Sequence, residues 1–433
     1  MENEKEGIMN PKLENQIIYS IYVRNHTKEG TFQSIEKDLD RIQYLGVDIL
    51  WFLPIHPIGN KGKKGSLGCP YSIQDYRKVN PDYGTLKDFK HLVNEIHKRN
   101  MKCIIDVVYN HTSRDSKLLK EHPDYFYKNE KNEFGNKIDD WSDVYDLDYN
   151  NKDLWDYQIE TLKQWASIVD GFRCDVASFV PLAFWKEAVK QVKTINPDCI
   201  WLAESVHAGF GQEARKKGIY SEYDVNLFEA FDIEYEYDIR ETFEMVLEGK
   251  WDCTNYANAL NFQENFYPYP YNKMRFLENH DTKRIIEYVK EEGPLINHTA
   301  LLYFLKGSTL LNAGQEFVAD HTPSLFEKDV IERNTNKDIS GLLARLSEIK
   351  HNVLSYDDFF EAKVYDSDIM VCTRENKQAK KVGIFSLKGN AKDVFVDLEN
   401  GVYINEIDQQ PVFVVSNTLH CDGWPMILSK RKE

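Results

Sequence analysis

The chain has little cysteine and none of it is paired in sequence. Seven cysteines lie singly at 69, 103, 174, 199, 253, 372 and 421 of 433 residues, with no C-x-x-C among them. An odd, scattered set argues against a disulfide framework and against a cysteine-built zinc site. Cys103, Cys174 and Cys199 lie in apolar runs and read as small core residues. No run of 18 apolar residues occurs, so no membrane-spanning helix is expected. No basic tract interleaved with aromatics occurs either, and a formal charge of −16 argues against nucleic acid or an anionic membrane as partner. The opening Met-Glu-Asn-Glu-Lys-Glu-Gly carries no apolar stretch behind a basic start, and does not read as a secretory signal. These absences together point to a reduced, cytoplasmic protein. Neither G-x-S-x-G nor H-E-x-x-H is present, so a serine-nucleophile elbow and a zinc hydrolase both lack support.

What is present is a large apolar fraction, 42%, enough for a substantial interior over a length that suits one large domain and one smaller. From about residue 17 to 318, short apolar runs alternate with amphipathic stretches, the pattern of βα units. Strands are predicted at 17–23, 47–53, 102–108, 170–174, 199–203, 223–228, 273–277 and 308–312, with helices at 32–45 and near 85–99 among those between them. Residues 112–150, rich in Asp, Asn, Lys, Tyr and Trp, break the rhythm after the third strand. Beyond about 352 the chain alternates in strand fashion between turn residues, as in Phe360–Tyr365, Ile369–Thr373 and Val382–Ser386. The expected architecture is an α/β (β/α)8 TIM barrel with an insertion after the third strand and a C-terminal antiparallel β-domain. Its expected division is 1–16 as an N-terminal tail, 17–111 and 151–350 as the barrel, 112–150 as the inserted segment, and 351–433 as the β-domain.

Four segments place polar residues at the ends of apolar runs: Asp106–His111, Gly171–Asp175, Ile200–Glu204 and Phe276–Asp281. A parallel barrel gathers such strand ends at one mouth. Two or three carboxylates around one bond are what acid-catalysed glycoside cleavage needs. Arg173 and Asp175 stand two apart, so a strand turns both to one side. A guanidinium there favours an ionised Asp175, the form a nucleophile requires, although a buried structural ion pair reads equally well. Glu204 ends an apolar run without an adjacent cation in sequence, where desolvation raises a carboxyl toward general-acid duty. It also suits a simple cap of the following segment. His280-Asp281 can steer protonation or hold hydroxyls, and such a pair also serves as metal ligands or triad members. Asp106 reads as structural, bonding the arginine or backbone, and His111 as the residue nearer a ligand.

Taken in order, these segments resemble the α-amylase family of glycoside hydrolases, retaining enzymes of α-glucosidic bonds, over about residues 15–320, and the resemblance extends to the β-domain. The resemblance implies Asp175 as nucleophile, Glu204 as general acid/base and Asp281 as transition-state stabiliser. It implies Arg173, His111 and His280 as polar contacts around the sugar. Pro70-Tyr71-Ser-Ile-Gln-Asp75-Tyr76 resembles the family loop in which a Tyr, here Tyr71, stacks under that sugar, and Tyr145–Asn150 resembles its extra motif near the insertion's end.

The chain also departs from the pattern. After the nucleophile many members read two small residues and then Lys-His; here the residues are Val176-Ala177-Ser178-Phe179. The Lys often serves the leaving-group side, and the His lends its backbone oxygen to calcium. No cofactor is required by the chemistry, whereas calcium is possible, with Asn110 and the acidic residues of 139–148 as oxygen ligands. The expected function is hydrolysis of α-glucosidic, α-1,4 bonds in maltodextrins or starch-derived oligosaccharides through a glycosyl-Asp intermediate. The alternative within the family is transfer to a sugar or phosphate rather than water. The partner is an oligosaccharide or polysaccharide substrate.

Overall fold

Eight parallel strands close on themselves. The computed structural model describes residues 13–138, 141–366 and 368–432. Its barrel strands are β1 (Ile17–Ile21), β2 (Ile49–Phe52), β3 (Lys102–Val107), β4 (Gly171–Cys174), β5 (Ile200–Ala203), β6 (Ile233–Tyr235), β7 (Lys273–Phe276) and β8 (Ser308–Asn312). They neighbour one another in chain order, and β8 pairs with β1 to complete the ring. Every residue of these strands except Lys102 is buried. Helices cover the outer face, which is why the strands read as apolar runs rather than as alternation.

The helix Leu86–Lys98 shows how local chemistry sets an element. Thr85 accepts from the Asp88 backbone N–H while the Asp88 side chain bonds back, a capping box, and Phe89, Leu92, Val93 and Ile96 form the buried stripe. The single helix expected over 32–45 is instead two, Phe32–Glu36 and Leu39–Tyr44. The sixth strand was expected at 223–228, but Asp224–Leu227 is a helical turn and the strand is Ile233–Tyr235. The reason is a charge in its middle. Glu234 is fully buried and paired with Lys273 Nζ at 3.1 Å, its register partner on β7. A short run centred on Glu does not look like a core strand until its cation is found.

Between β3 and the helix Lys152–Ala166 the chain forms a short antiparallel pair, His111–Ser113 with Val144–Asp146. Of the segment 1–16, residues 1–12 lie outside the described residues, and Leu13 is buried in the barrel core. After the helix Ser340–Asn352 comes a four-stranded antiparallel sheet of β9 (Phe359–Tyr365), β10 (Ile369–Glu375), β11 (Ala379–Ser386) and β12 (Met426–Arg431). Its own core includes Val371, Val382, Ile384 and Leu428. It docks on the barrel through specific bonds. Asn261 on the helix Cys253–Phe266 donates to Ala362 O and accepts from Ala362 N–H, both at 2.8 Å.

Candidate active site

β3 and β4 pair so that Asp106 lies opposite Arg173. That register places a carboxylate and a guanidinium side by side inside the barrel, and Arg173 Nη1 donates to Asp106 Oδ1 at 2.9 Å. The same nitrogen donates to Asp175 Oδ1 at 2.8 Å. Arg173 Nη2 stands 2.6 Å from Glu204 Oε1, which ends β5. One cation thus touches three carboxylates from three strands. Trp51, Tyr71 and Tyr235 hold their rings 5.0, 5.7 and 5.3 Å from its guanidinium carbon. This box fixes a planar cation that three carboxylates can share.

Arg173 therefore does less for Asp175 than its place in sequence suggests. Its single charge is divided, and burial, the largest influence on each carboxyl, pushes Asp175 and Asp106 up to about 7 and Glu204 up to about 8. Glu204 Oε2 accepts the backbone N–H of Val176 at 2.7 Å, so its ionised form also has a donor in place.

Tyr71 and His280 lie nearly parallel, 11° apart with ring centroids at 5.6 Å. Burial pushes His280 down to about 4, so the ring is neutral. A proton on Nε2 satisfies the contacts: it faces the Tyr71 hydroxyl oxygen at 2.8 Å and Asp281 Oδ2 at 3.1 Å, while the Tyr71 hydroxyl donates to Asp106 Oδ2 at 3.1 Å. Asp281, with its side chain 45% exposed, faces the opening. His111 is buried, held neutral by burial, and lies 5.0 Å from the Trp141 ring.

A cleft of about 220 Å3 brings together Tyr71, His111, Asp175, Glu204 and Asp281 with Lys64, Trp141, Asp143, Leu325 and Phe326. Arg173 and His280 lie buried behind it, against Tyr71. Every residue singled out in sequence for catalysis or sugar contact is at this mouth. A larger open cavity, about 1050 Å3, lies between the inserted segment and residues 217–220, and none of those residues lines it. Sequence reading passed over Lys64, Trp141, Leu325 and Phe326, and took Asp143 only as one of the acidic residues of 139–148 open to calcium. Lys64 stands seven residues before Tyr71 in the same loop, a signal that was available. It also passed over Tyr235, whose hydroxyl lies 3.3 Å from Arg173 Nε and whose strand was misplaced.

Asn110, the candidate calcium ligand, is buried with its amide nitrogen 3.2 Å from His111 Nδ1. Across the strand pair, Asp146 Oδ2 accepts the Lys137 N–H at 2.8 Å, and its Oδ1 is buried without a partner. These oxygen donors are of the type calcium takes. Asp139 and Asp140 lie outside the described residues.

Residues 16–141 and 127–352 match the model of the alpha-amylase catalytic domain, and residues 361–428 match the bacterial alpha-amylase C-terminal domain. A solved alpha-amylase from Lactobacillus plantarum is 42% identical, with a TM-score of 0.94 over 97% of this chain and 100% of that one. A noncanonic maltogenic alpha-amylase, AmyB, from Thermotoga neapolitana is 30% identical, with a TM-score of 0.86 over 97% and 99%. Among curated proteins, the alpha-amylase MalA of Haloarcula japonica is 28% identical over 318 residues, 70% of this chain. That match spans 44% of MalA's own length. No helix among the described residues is long and apolar enough to cross a membrane.

Proposed function

The chain belongs to the α-amylase family of glycoside hydrolases, and from that premise we propose that it is a retaining hydrolase of α-1,4-glucosidic bonds in maltodextrins or starch-derived oligosaccharides. The observation that carries the reading is the sharing of Arg173 by Asp175 and Glu204, two carboxyls held by one buried cation at the barrel mouth. Retaining cleavage needs such a pair, one ionised and one protonated.

In the proposed reaction an Asp175 oxygen attacks the anomeric carbon of the sugar over Tyr71. The bond to the leaving oxygen breaks, and that oxygen takes the Glu204 proton. The glycosyl group is then esterified to Asp175 and Glu204 is a carboxylate, stabilised by the Val176 N–H. Water gives a proton to Glu204 while its oxygen attacks the same carbon, and the ester bond returns its electrons to Asp175. Two displacements at one carbon give retention. Asp281 and the neutral His280 serve the hydroxyls of the distorting ring, and His111 contacts it from the inserted side. Asn110 and Asp146 are the residues proposed to hold a calcium ion, which would brace the inserted segment against the end of β3. No catalytic step passes through it.

A second reading is transfer to a sugar acceptor. Trp141 and Val176 line the cleft beside Glu204, backed by the buried cluster of Phe179, Val206 and Ala214, and such apolar lining favours the CH faces of a sugar over water. Seven cysteines without disulfides support a cytoplasmic setting, and the charge of −16 supports a partner list without nucleic acid.

The deciding experiment is a proton NMR time course with a maltooligosaccharide, with and without phosphate. Early α-anomeric reducing ends on shorter products are expected. Longer products or a sugar phosphate would move the protein to the transferases, and β-anomeric products would overturn retention.

A further inference from the structure

Two loops meet over the mouth of β1. One follows β2 and holds Lys61–Gly68 and Tyr71; the other follows β8 and holds His321–Asp329. They are joined directly: the Ser66 N–H donates to Glu327 Oε1 at 2.7 Å, the Ser66 hydroxyl bonds Glu327 Oε2, and the Leu67 N–H donates to Phe326 O at 3.1 Å. Arg24, in the segment just after β1, fastens both from beneath. Its guanidinium donates to Leu67 O and Gly68 O on one loop and to Leu325 O on the other, at 3.2 to 3.3 Å. Gly65 shows how close the approach is. It has φ of +63°, and a Cβ there would stand 2.6 Å from Phe326 Cβ and 2.9 Å from Phe326 O. No side chain fits between the loops.

This junction lies at one definite end of the cleft. Leu325 and Phe326 line the cleft together with Lys64 and Cys69, on the side from which Tyr71 emerges. Glu204 ends β5, which is four strands from β1 in either direction round the ring. The acid that protonates the leaving oxygen is therefore across the mouth from the junction. The leaving sugar departs toward β5, and the donor sugar points toward β1, into the joined loops. The cleft of about 220 Å3 is also small beside the roughly 300–1,000 Å3 of ordinary ligand sites.

We propose that the Ser66–Glu327 and Arg24 junction closes the donor end of the cleft, so that the enzyme removes short units from the non-reducing ends of α-glucans and does not cut within chains. This rests on the α-glucan reading given above. An open groove would let a chain run on past the cleaved bond; a wall of Leu325 and Phe326 requires that the chain end there. Closure is held by backbone and carboxylate bonds that are already made without a substrate present.

The test is a pair of aryl maltoheptaosides, one free and one with its non-reducing 4- and 6-hydroxyls blocked, given to the full protein. The free substrate is expected to turn over at least 100-fold faster, and amylose is expected to release one short product from the first time point. The double variant Arg24→Ala/Glu327→Ala, which leaves only the Leu67–Phe326 backbone bond between the loops, is expected to raise the blocked-to-free rate ratio at least tenfold. Equal rates on both substrates, with an early ladder of products from amylose, would overturn the closure and leave the α-glucan reading standing. Turnover of neither substrate would overturn that reading, and the closure with it.

Discussion

Val176 donates its backbone N–H to Glu204 Oε2 at 2.7 Å while itself held in the left-handed region, φ +35° and ψ +48°. A β-branched residue there is strained, at a cost of about 1–3 kcal/mol. The strain is located at the turn that ends β4, directly after Asp175. Next to it the Ala177 N–H donates to the Glu204 backbone oxygen at 2.9 Å. The turn that presents one carboxyl therefore also holds the other in place.

Burial of the two carboxyls leads us to expect a narrow working range of pH. Burial pushes Asp175 up to about 7 and Glu204 up to about 8. The nucleophile must be ionised and the acid protonated, so kcat/KM is expected to rise as pH climbs through about 7 and fall as it passes about 8. A flat profile between about pH 6 and 9 would contradict the assignment of both roles.

Stability depends on the same carboxyl. Because the folded pKa of Glu204 is raised, the folded state holds that proton more tightly than the unfolded chain, and stability is lost as pH rises from the ordinary carboxylate range through about 8. Glu204→Gln is neutral throughout. It is expected to raise the melting temperature at pH 8, and by less at pH 5, while removing activity; thermal melts at the two pH values read this directly.

Asp175→Asn is expected to lower turnover by about 10^4-fold or more, the scale on which loss of a nucleophile registers. The fold and oligosaccharide binding should persist, since Asn keeps the shape and can still accept from Arg173. Binding by calorimetry separates the outcomes. Appreciable turnover without deamidation would sink the nucleophile assignment.

Arg173→Lys keeps the charge and loses the fork. Three buried carboxylates share that fork, and leaving them underpaired is expected to cost about 3–5 kcal/mol of stability. Denaturant unfolding measures the loss. Stability equal to the parent would mean that Lys reaches the same partners and that the planar geometry is dispensable.

Asn261→Ala tests the seam between barrel and β-domain. Two bonds to Ala362 are removed and the backbone groups of β9 lose their partner, so a loss of about 1–3 kcal/mol is expected. Asn261 lies on an outer helix and does not line the cleft, and kcat/KM on short oligosaccharides should be unchanged. A large fall in kcat/KM would show that the β-domain shapes the mouth.

Much of this protein is written locally. Apolar runs such as Ile49–Phe52 and Ile200–Ala203 declare strands because both faces of a parallel barrel are buried, and the amphipathic stripe of Leu86–Lys98 with its Thr85–Asp88 cap declares a helix. The polar residues at the ends of those runs, Asp175, Glu204 and Asp281 among them, are legible because a barrel's strand ends converge by construction. Where a residue's meaning depends on a distant partner, the chain alone misleads. Glu234 looks unlike a core residue until Lys273 is beside it. Arg173 looks like a private partner of Asp175, yet the barrel brings Asp106 and Glu204 to the same cation, and burial then outweighs the shared charge. The junction of Ser66 with Glu327 joins residues 261 positions apart. Periodicity and strand-end chemistry are properties of neighbours in sequence, whereas charge sharing and closure of the cleft are set by distances that exist only once the ring has closed.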